Sequence, residues 1–285
     1  MYSRMAQILA LHRGEFGRAA LLKLHSGLLP HAHSEAHIVW WLAGTPVEGQ
    51  VGSHLWRSVD HEAVGINPYE PHDLRIAGDR PAVCLALYIS QDWLARRSAA
   101  STQSFRFHTP FLKIDPRLRN ASLDFLNALL DEHCTLIVRE QRIEQMIDAA
   151  VDASITGARP VAEFLTPASL DFRIRRALVF MREHIDARIP VDVLARQVGL
   201  SRPHLFAMFR EQLNTPPQIY WNALRLDAAI NRLMQGDESL TLIAQDLGFS
   251  ASSNFSRFFR DHTGVTPREY RRAAHEKIAL STSPL

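Results

Sequence analysis

Closely spaced histidines mark the stretch GLLPHAHSEAHIVWWLAG, near the start of the chain. Alternate residues of a β-strand share one face. If the stretch is extended, one cavity therefore receives the side chains of His31, His33, Glu35 and His37. Imidazoles in such a cavity suit either metal ligation or hydrogen bonding to a bound molecule. A further histidine, His72, follows a Pro-rich turn in NPYEPHDL.

The same stretch resembles the first motif of the cupin fold, which is a Gly, His-x-His, a third ligand about four residues on and a closing Gly. His31 and His33 match the His-x-His, and His37 stands where cupins usually have Glu. His72 matches the histidine of the second cupin motif. The resemblance implies a small β-barrel and a candidate metal set of His31, His33, His37 and His72.

Four neutral imidazoles would suit Zn²⁺, Ni²⁺, Cu²⁺ or Fe²⁺, which nitrogen ligands bind well. A divalent transition metal is therefore the one cofactor that the sequence suggests. The alternative is a metal-free pocket whose histidines hydrogen-bond an effector or each other. Four aromatic residues are candidates for lining the effector pocket: Trp40, Trp41, Trp56 and Tyr69.

The stretch Ser239 to Arg272 has the capping and turn residues expected of a helix-turn-helix. Apolar residues recur at helical spacing after Ser239, a candidate N-cap, and Gly248 ends the first helix. Ser250 is predicted to cap the second helix, which could lie in the major groove of DNA. An ordinary helical hairpin with a solvated face is the competing interpretation of one such unit.

The pattern occurs twice, which favours DNA binding, and Ser201 is predicted to cap the second helix of the earlier copy. Matching residues of the two copies are 49 positions apart as far as Ser201 and Ser250. Beyond these serines they are 50 apart, because the second copy has one inserted residue. The repeated pairs are Ala195/Ala244, Gly199/Gly248, Ser201/Ser250, Phe209/Phe259, Arg210/Arg260, Pro217/Pro267 and Tyr220/Tyr270. Two groove-sized units in one domain imply two groove contacts, and a long helix after Pro216 could hold them one DNA turn apart.

These paired elements resemble the DNA-binding domain of the AraC/XylS family of bacterial transcription regulators, over about 115 residues. The resemblance implies which positions face DNA. In the first unit they are Arg202, Pro203, His204, Phe206 and Ala207. In the second unit they are Ser253, Asn254 and Arg257. Asn suits adenine and Arg suits guanine, so we expect the second unit to discriminate more between bases.

Charge and length agree with a DNA-binding domain at the end of a two-domain chain. From Ala168 onward there are 16 Lys and Arg against 12 Asp and Glu, whereas the preceding part has 16 against 18. No apolar run is long enough to span a bilayer, and no secretory signal is evident, so a cytoplasmic protein is expected. No paired catalytic carboxylates, phosphate-binding Gly loop or nucleophile with a base is evident, which argues against an enzyme.

The predicted fold class is α+β with two domains. Residues 1–95 form a cupin-like β domain, 96–156 a loop and helices, 157–168 a linker, 169–275 an all-α domain with two helix-turn-helix units, and 276–285 a tail. The family resemblance implies dimerisation through the helices of residues 96–156, and intramolecular packing is the alternative.

The predicted function is effector-controlled, sequence-specific regulation of transcription. The expected partners are double-stranded promoter DNA, a small-molecule or metal effector, RNA polymerase and a second copy of the chain. The alternative function is a metal-dependent cupin enzyme or metal sensor fused to a DNA-binding domain.

Overall fold

Two β-sheets form the N-terminal domain of the computed structural model, which describes residues 5–97, 104–156, 159–165, 170–187 and 189–281. The strands are β1 (Ala6–Gly14), β2 (Gly17–Leu24), β3 (Leu28–His31), β4 (Ala36–Gly44), β5 (Val47–Val51), β6 (His54–Arg57), β7 (Glu62–Ile66), β8 (His72–Ile76), β9 (Ala82–Ile89), β10 (Ser104–Phe107), β11 (Phe111–Lys113) and β12 (Ala162–Leu165). The first sheet has the strand order β1-β2-β9-β4-β7-β11 and the second β3-β8-β5-β6. The sheets face each other as an open barrel, as expected for the fold class.

The central strand β9 is apolar along its whole length because both of its faces are buried. Cys84 and Ala86 point between the sheets, into a core shared with the second sheet. Leu85 and Leu87 point the other way, towards helices. A continuous apolar run of this length is typical of a strand covered on both sides.

Three helices cover the outer face of the larger sheet: α1 (Gln91–Arg97), α2 (Pro116–Leu130) and α3 (Leu136–Ile155). Phe125 of α2 and Ile147 of α3 are fully buried in the core that also contains Leu87. Their inner faces thus pack within the chain. Their outer surface still exposes several large apolar side chains: Leu123, Leu130, Leu136, Ile137 and Val138.

The β domain extends beyond its predicted end at residue 95. Within the predicted loop and helix region, β11 pairs with β7 and thereby joins the larger sheet. Within the predicted linker, β12 pairs with β10 instead of continuing as an irregular connection. Both pairings join residues far apart in sequence, so local patterning did not indicate them. Residues 157, 158 and 166–168 of the predicted linker, and 282–285 of the tail, lie outside the described residues.

Seven helices make up the described part of the C-terminal domain. They are α4 (Phe172–Glu183), α5 (Val191–Gln197), α6 (Arg202–Leu213), α7 (Pro217–Gln235), α8 (Leu240–Asp246), α9 (Ser252–Thr263) and α10 (Pro267–Ser281). The pairs α5–α6 and α8–α9 are the two helix-turn-helix units. Among the described helices, none combines the length and apolar character that crossing a bilayer requires.

Helix capping follows the sequence at two positions and departs from it at a third. The side chains of Ser201 and Ser239 accept hydrogen bonds from backbone N–H groups in the first turns of α6 and α8. The prediction that Ser250 caps the next helix is wrong, because Ala251 is the N-cap of α9. Ala251 is the residue inserted between the repeats, and it moves the helix start one position away from the serine.

The two domains share an apolar core. Leu24 and Ile66 of the large sheet belong to the same buried cluster as Leu226 of α7 and Phe259 of α9. Helices α4 to α6 and the start of α7 bury a separate cluster around Phe209. The second helix-turn-helix unit (α8–α9) therefore shares the core of the β domain. The first unit (α5–α6) has its own core, which the β domain contacts through Tyr69.

Replacing the glycine of each turn by alanine should have unequal effects. Gly199 and Gly248 both have positive φ, +73° and +76°, so alanine should cost about 1–2 kcal/mol of stability at either position. A Cβ at Gly248 would also overlap the carbonyl oxygen of Asp186, whereas one at Gly199 meets no described atom within 4 Å. In urea unfolding, Gly248→Ala should therefore lower the free energy of unfolding by roughly 1–3 kcal/mol more than Gly199→Ala does. Equal losses would contradict this packing of the second turn.

Candidate functional site

The outer face of α9 presents polar side chains on a rigid base. Ser253, Asn254 and Arg257 are exposed, whereas Phe255 and Phe259 on the opposite face are fully buried. The Asn254 amide donates a hydrogen bond of 2.9 Å to the Ser250 hydroxyl, which fixes the orientation of the amide. Helix packing thus places the three predicted base-contacting side chains together on one accessible surface.

The matching face of α6 is less polar and partly engaged. Pro203, His204 and Ala207 are exposed and Phe206 is half-buried. The guanidinium of Arg202 lies 3.4 Å from the carboxylate of Asp192 and 5.5 Å from the centre of the Phe206 ring. The first surface therefore offers fewer free hydrogen-bonding groups to a base than the second.

Helix α7 joins the two helix-turn-helix units. Two of its arginines, Arg225 and Arg232, bind groups within the protein. A helix of its 19 residues is roughly 28 Å long. Arg225 donates to the carbonyl oxygens of Ile185 and Ala187, at 3.0 and 2.8 Å. Arg232 pairs with Glu238 and Asp246. Part of the cationic excess of this domain is thus used to hold its loops.

Three of the four candidate metal-binding histidines converge. One ring nitrogen from each of His31, His33 and His72 lies within 4.8 Å of the others. His31, at the end of β3, is the register partner of His72, at the start of β8. His33 lies in the loop after β3, and the ring of His37, on β4, is centred 5.3 Å from that of His33.

Hydrogen bonds set the tautomers of two of these histidines. Nδ1 of His31 lies 2.6 Å from the carbonyl oxygen of Leu29, and Nδ1 of His72 lies 3.0 Å from that of Glu70. A carbonyl only accepts, so Nδ1 carries the proton and each Nε2 keeps a lone pair. Nε2 of His72 and both ring nitrogens of His33 are buried without a hydrogen-bond partner among the described residues.

Burial is the largest cause of low pKa values in this cluster. It lowers the pKa of His31, His33 and His37 well below the usual value, and the neighbouring imidazoles lower it further. Burial also lowers the pKa of His72, to about 4. Each ring is therefore neutral near pH 7, which is the form that ligates a metal ion.

The prediction of one continuous strand through the histidines is wrong. Strand β3 ends at His31 and β4 begins at Ala36, with a loop between them. Glu35 lies in this loop and accepts a 2.7 Å hydrogen bond from Arg18. The carboxylate neutralises a buried guanidinium instead of joining the histidines.

The four aromatic residues predicted to line an effector pocket do not share a cavity. Trp40 is buried on the helix side of the large sheet. Trp41 and Trp56 border a narrow space of about 10 Å³ between the sheets. Tyr69 lies at the domain interface, where its ring stacks on that of Tyr220 at 4.1 Å.

A larger cavity of about 570 Å³ lies between the domains, where no sequence motif indicated one. The β domain contributes Arg18 and Glu35, and the helical domain contributes Arg182 and Asn231. Because domain packing creates this cavity, no local motif could have indicated it. Tyr69, one of the four aromatic residues predicted to line an effector pocket, is among its lining residues.

Residues 194–273 match the model of a helix-turn-helix domain family. The transcriptional regulator ArgR of Pseudomonas aeruginosa is 34% identical over 111 residues, which are 39% of this chain and 34% of ArgR. The transcriptional activator RhaS of Escherichia fergusonii is 29% identical over 156 residues, 50% of this chain and 56% of RhaS. The chain thus spans between about a third and just over half of the length of these relatives.

Solved structures extend the likeness to the whole fold. ToxT from Vibrio cholerae, crystallised with an unsaturated fatty acid, has a TM-score of 0.53 at 14% identity, covering 96% of this chain and 98% of ToxT. An AraC-type DNA-binding domain protein from Chromobacterium violaceum is 35% identical, covering 36% of this chain and 92% of that structure, with a TM-score of 0.33. The C-terminal domain, with its duplicated helix-turn-helix, is thus similar in sequence to the DNA-binding domains of AraC-type transcription regulators.

Proposed function

We propose that this protein is a sequence-specific DNA-binding regulator of transcription whose N-terminal domain senses an effector. The observation that carries the proposal is the pair of exposed reading faces, on α6 and α9, connected by the single helix α7. The relatives with matching sequence are transcription regulators, which favours regulation over the alternative of a cupin enzyme.

The two reading units have unequal roles in this proposal. Asn254 and Arg257 supply the amide and guanidinium that hydrogen-bond to adenine and guanine edges. The first unit offers Phe206 and Ala207, which suit thymine methyl groups, and its remaining contacts go to phosphates. The second unit therefore sets most of the sequence preference.

The effector binds in the 570 Å³ cavity between the domains, since a ligand there touches both at once. One guanidinium nitrogen of Arg18, Nη2, is buried without an acceptor among the described residues. Arginines and acidic residues both line the cavity: Arg13, Arg18, Arg182, Glu15, Glu35 and Asp92. This polar lining of balanced charge favours a small polar molecule over a long apolar chain such as that of the fatty acid in the ToxT crystal.

Two further partners and a location complete the proposal. A second copy of the chain binds the exposed apolar surface of α2 and α3, and it brings two pairs of reading units to one operator. RNA polymerase is the partner through which bound regulator changes transcription. Such work on chromosomal DNA takes place in the cytoplasm.

Removing the Arg257 side chain should reduce both affinity and selectivity. DNA fragments selected from a genomic pool supply the specific site, and fluorescence anisotropy measures binding. Arg257→Ala should weaken specific binding by roughly 1–3 kcal/mol and relax the preference at one base pair. Arg80→Ala, which removes an equal charge from the exposed turn between β8 and β9, is the control and should bind as the wild type does. Equal weakening on specific and random DNA would contradict the assignment.

Filling the interdomain cavity should abolish the response to the effector. A panel of polar metabolites is screened by thermal shift on the full chain. A compound that stabilises the wild type should fail to stabilise Asn231→Trp, whose larger side chain fills the cavity from an exposed position on α7. The same compound should still stabilise Trp56→Phe. The opposite pattern would place the effector between the sheets.

An acidic side chain on the apolar surface of α3 should dissociate the dimer. Ile137 is 72% exposed, so Ile137→Asp leaves the fold intact while burying a charge in any interface there. Sedimentation velocity should show a dimer for the wild type and a monomer for the variant. An unchanged mass would place the interface elsewhere.

A further inference from the structure

We propose that His31, His33 and His72 bind one divalent transition-metal ion, and that occupancy of this centre changes how the second reading helix, α9, is held. The first half of the proposal concerns the β domain alone. The second half rests on the proposed DNA-binding function.

The donor set fits a metal ion better than it fits a packed core. Three buried imidazoles converge, and buried ring nitrogens on His33 and His72 have no hydrogen-bond partner among the described residues. Buried polar groups in native proteins are almost always paired, so orphaned nitrogens facing one another indicate a missing ligand. A bound ion would accept the lone pairs of all three rings.

The surrounding hydrogen bonds support ligation through Nε2. The backbone carbonyls of Leu29 and Glu70 hold the Nδ1 protons of His31 and His72. Metal-binding histidines almost always donate their other ring N–H to such an acceptor, which fixes the ring orientation. His37 faces the same space from β4, and its ring is centred 5.5 Å from that of His72. It provides a fourth ligand after a small ring movement.

The chemistry of the ligands selects the kind of ion. Imidazole suits Zn²⁺, Ni²⁺, Cu²⁺ and Fe²⁺, whereas Mg²⁺ and Ca²⁺ require oxygen ligands. The nearest acidic residue of the histidine loop, Glu35, is paired with Arg18 at 2.7 Å. That ion pair reduces, without removing, the repulsion between the guanidinium of Arg18 and a cation in the histidine cluster.

The centre is directly adjacent to α9. The ring of His31 is centred 6.2 Å from that of His262, in the last turn of this helix. A Cβ at Gly264, the C-cap of α9, would lie 3.1 Å from the Leu28 side chain at the start of β3. Both ends of β3 thus touch the end of the reading helix.

Strand β3 is well suited to transmit a change at the metal. It has four residues, and its pairing with β8 is irregular between Leu28 and His31. Ligation fixes the ring of His31 and with it the end of this short strand. Linkage between two binding sites is reciprocal. If the metal changes the affinity of the protein for DNA, then DNA changes the affinity of the protein for the metal by the same factor.

The metal half is tested on full-length protein purified without a histidine tag. Elemental analysis should find one Zn²⁺, Ni²⁺, Cu²⁺ or Fe²⁺ ion per chain, and Co²⁺ added to metal-free protein should give the absorption spectrum of a nitrogen-ligated site. His33→Ala and, as a second variant, His72→Gln should lose both signals. His61→Ala, an exposed histidine of the same domain, should keep them. Wild-type protein without stoichiometric metal and without a Co²⁺ spectrum would overturn the centre.

The coupling half is tested by measuring DNA affinity with Zn²⁺ and after chelation. The DNA affinity of the wild type should differ by roughly fivefold or more between the two conditions, which is the lower end of the usual range of allosteric coupling. His262→Leu should still bind one ion but respond much less, since it removes the contact and leaves the ligands in place. Metal binding with unchanged DNA affinity in the wild type would overturn the coupling. Failure to bind any DNA would reject the proposed function, while leaving the metal measurements valid.

Discussion

The apolar core shared by the two domains is the constraint on which this structure depends. Phe255 and Phe259 of α9 are completely buried, in the same cluster as Leu24 and Ile66 of the large sheet. Separating the domains would expose this surface to water, at about 25 cal/mol per Å² of apolar area. The orientation of the second reading helix is therefore fixed by the β domain as well as by its own helix-turn-helix.

This arrangement makes the two reading units differ in more than their contact residues. The first unit packs around Phe209 in a cluster formed by α4 to α6 and the start of α7. The second forms one body with the domain that contains the histidines. A ligand of the β domain can therefore act on the second unit directly, and through α7 it changes how the two units are placed relative to each other. Control needs only a difference in ligand affinity between two such arrangements.

The sequence predicted most of the local structure and little of what lies between domains. The helix-turn-helix units, the caps at Ser201 and Ser239 and the strand runs follow from periodicity and turn chemistry, which are local properties. The convergence of His31, His33 and His72 was indicated by a motif, although a loop and a strand pairing bring these side chains together instead of one strand. The interdomain cavity and strands β11 and β12 depend on contacts between distant segments, which no local pattern encodes.

The structure implies that the two helix-turn-helix units of one chain contact successive major grooves of DNA. Hydroxyl-radical footprinting of one bound chain on its selected DNA site measures this directly. The Ile137→Asp variant, which is expected to be monomeric, is used so that every protected segment belongs to one chain. We expect two protected segments about 10 base pairs apart on one side of the duplex. A single protected segment would contradict it, because α6 or α9 would then make no groove contact.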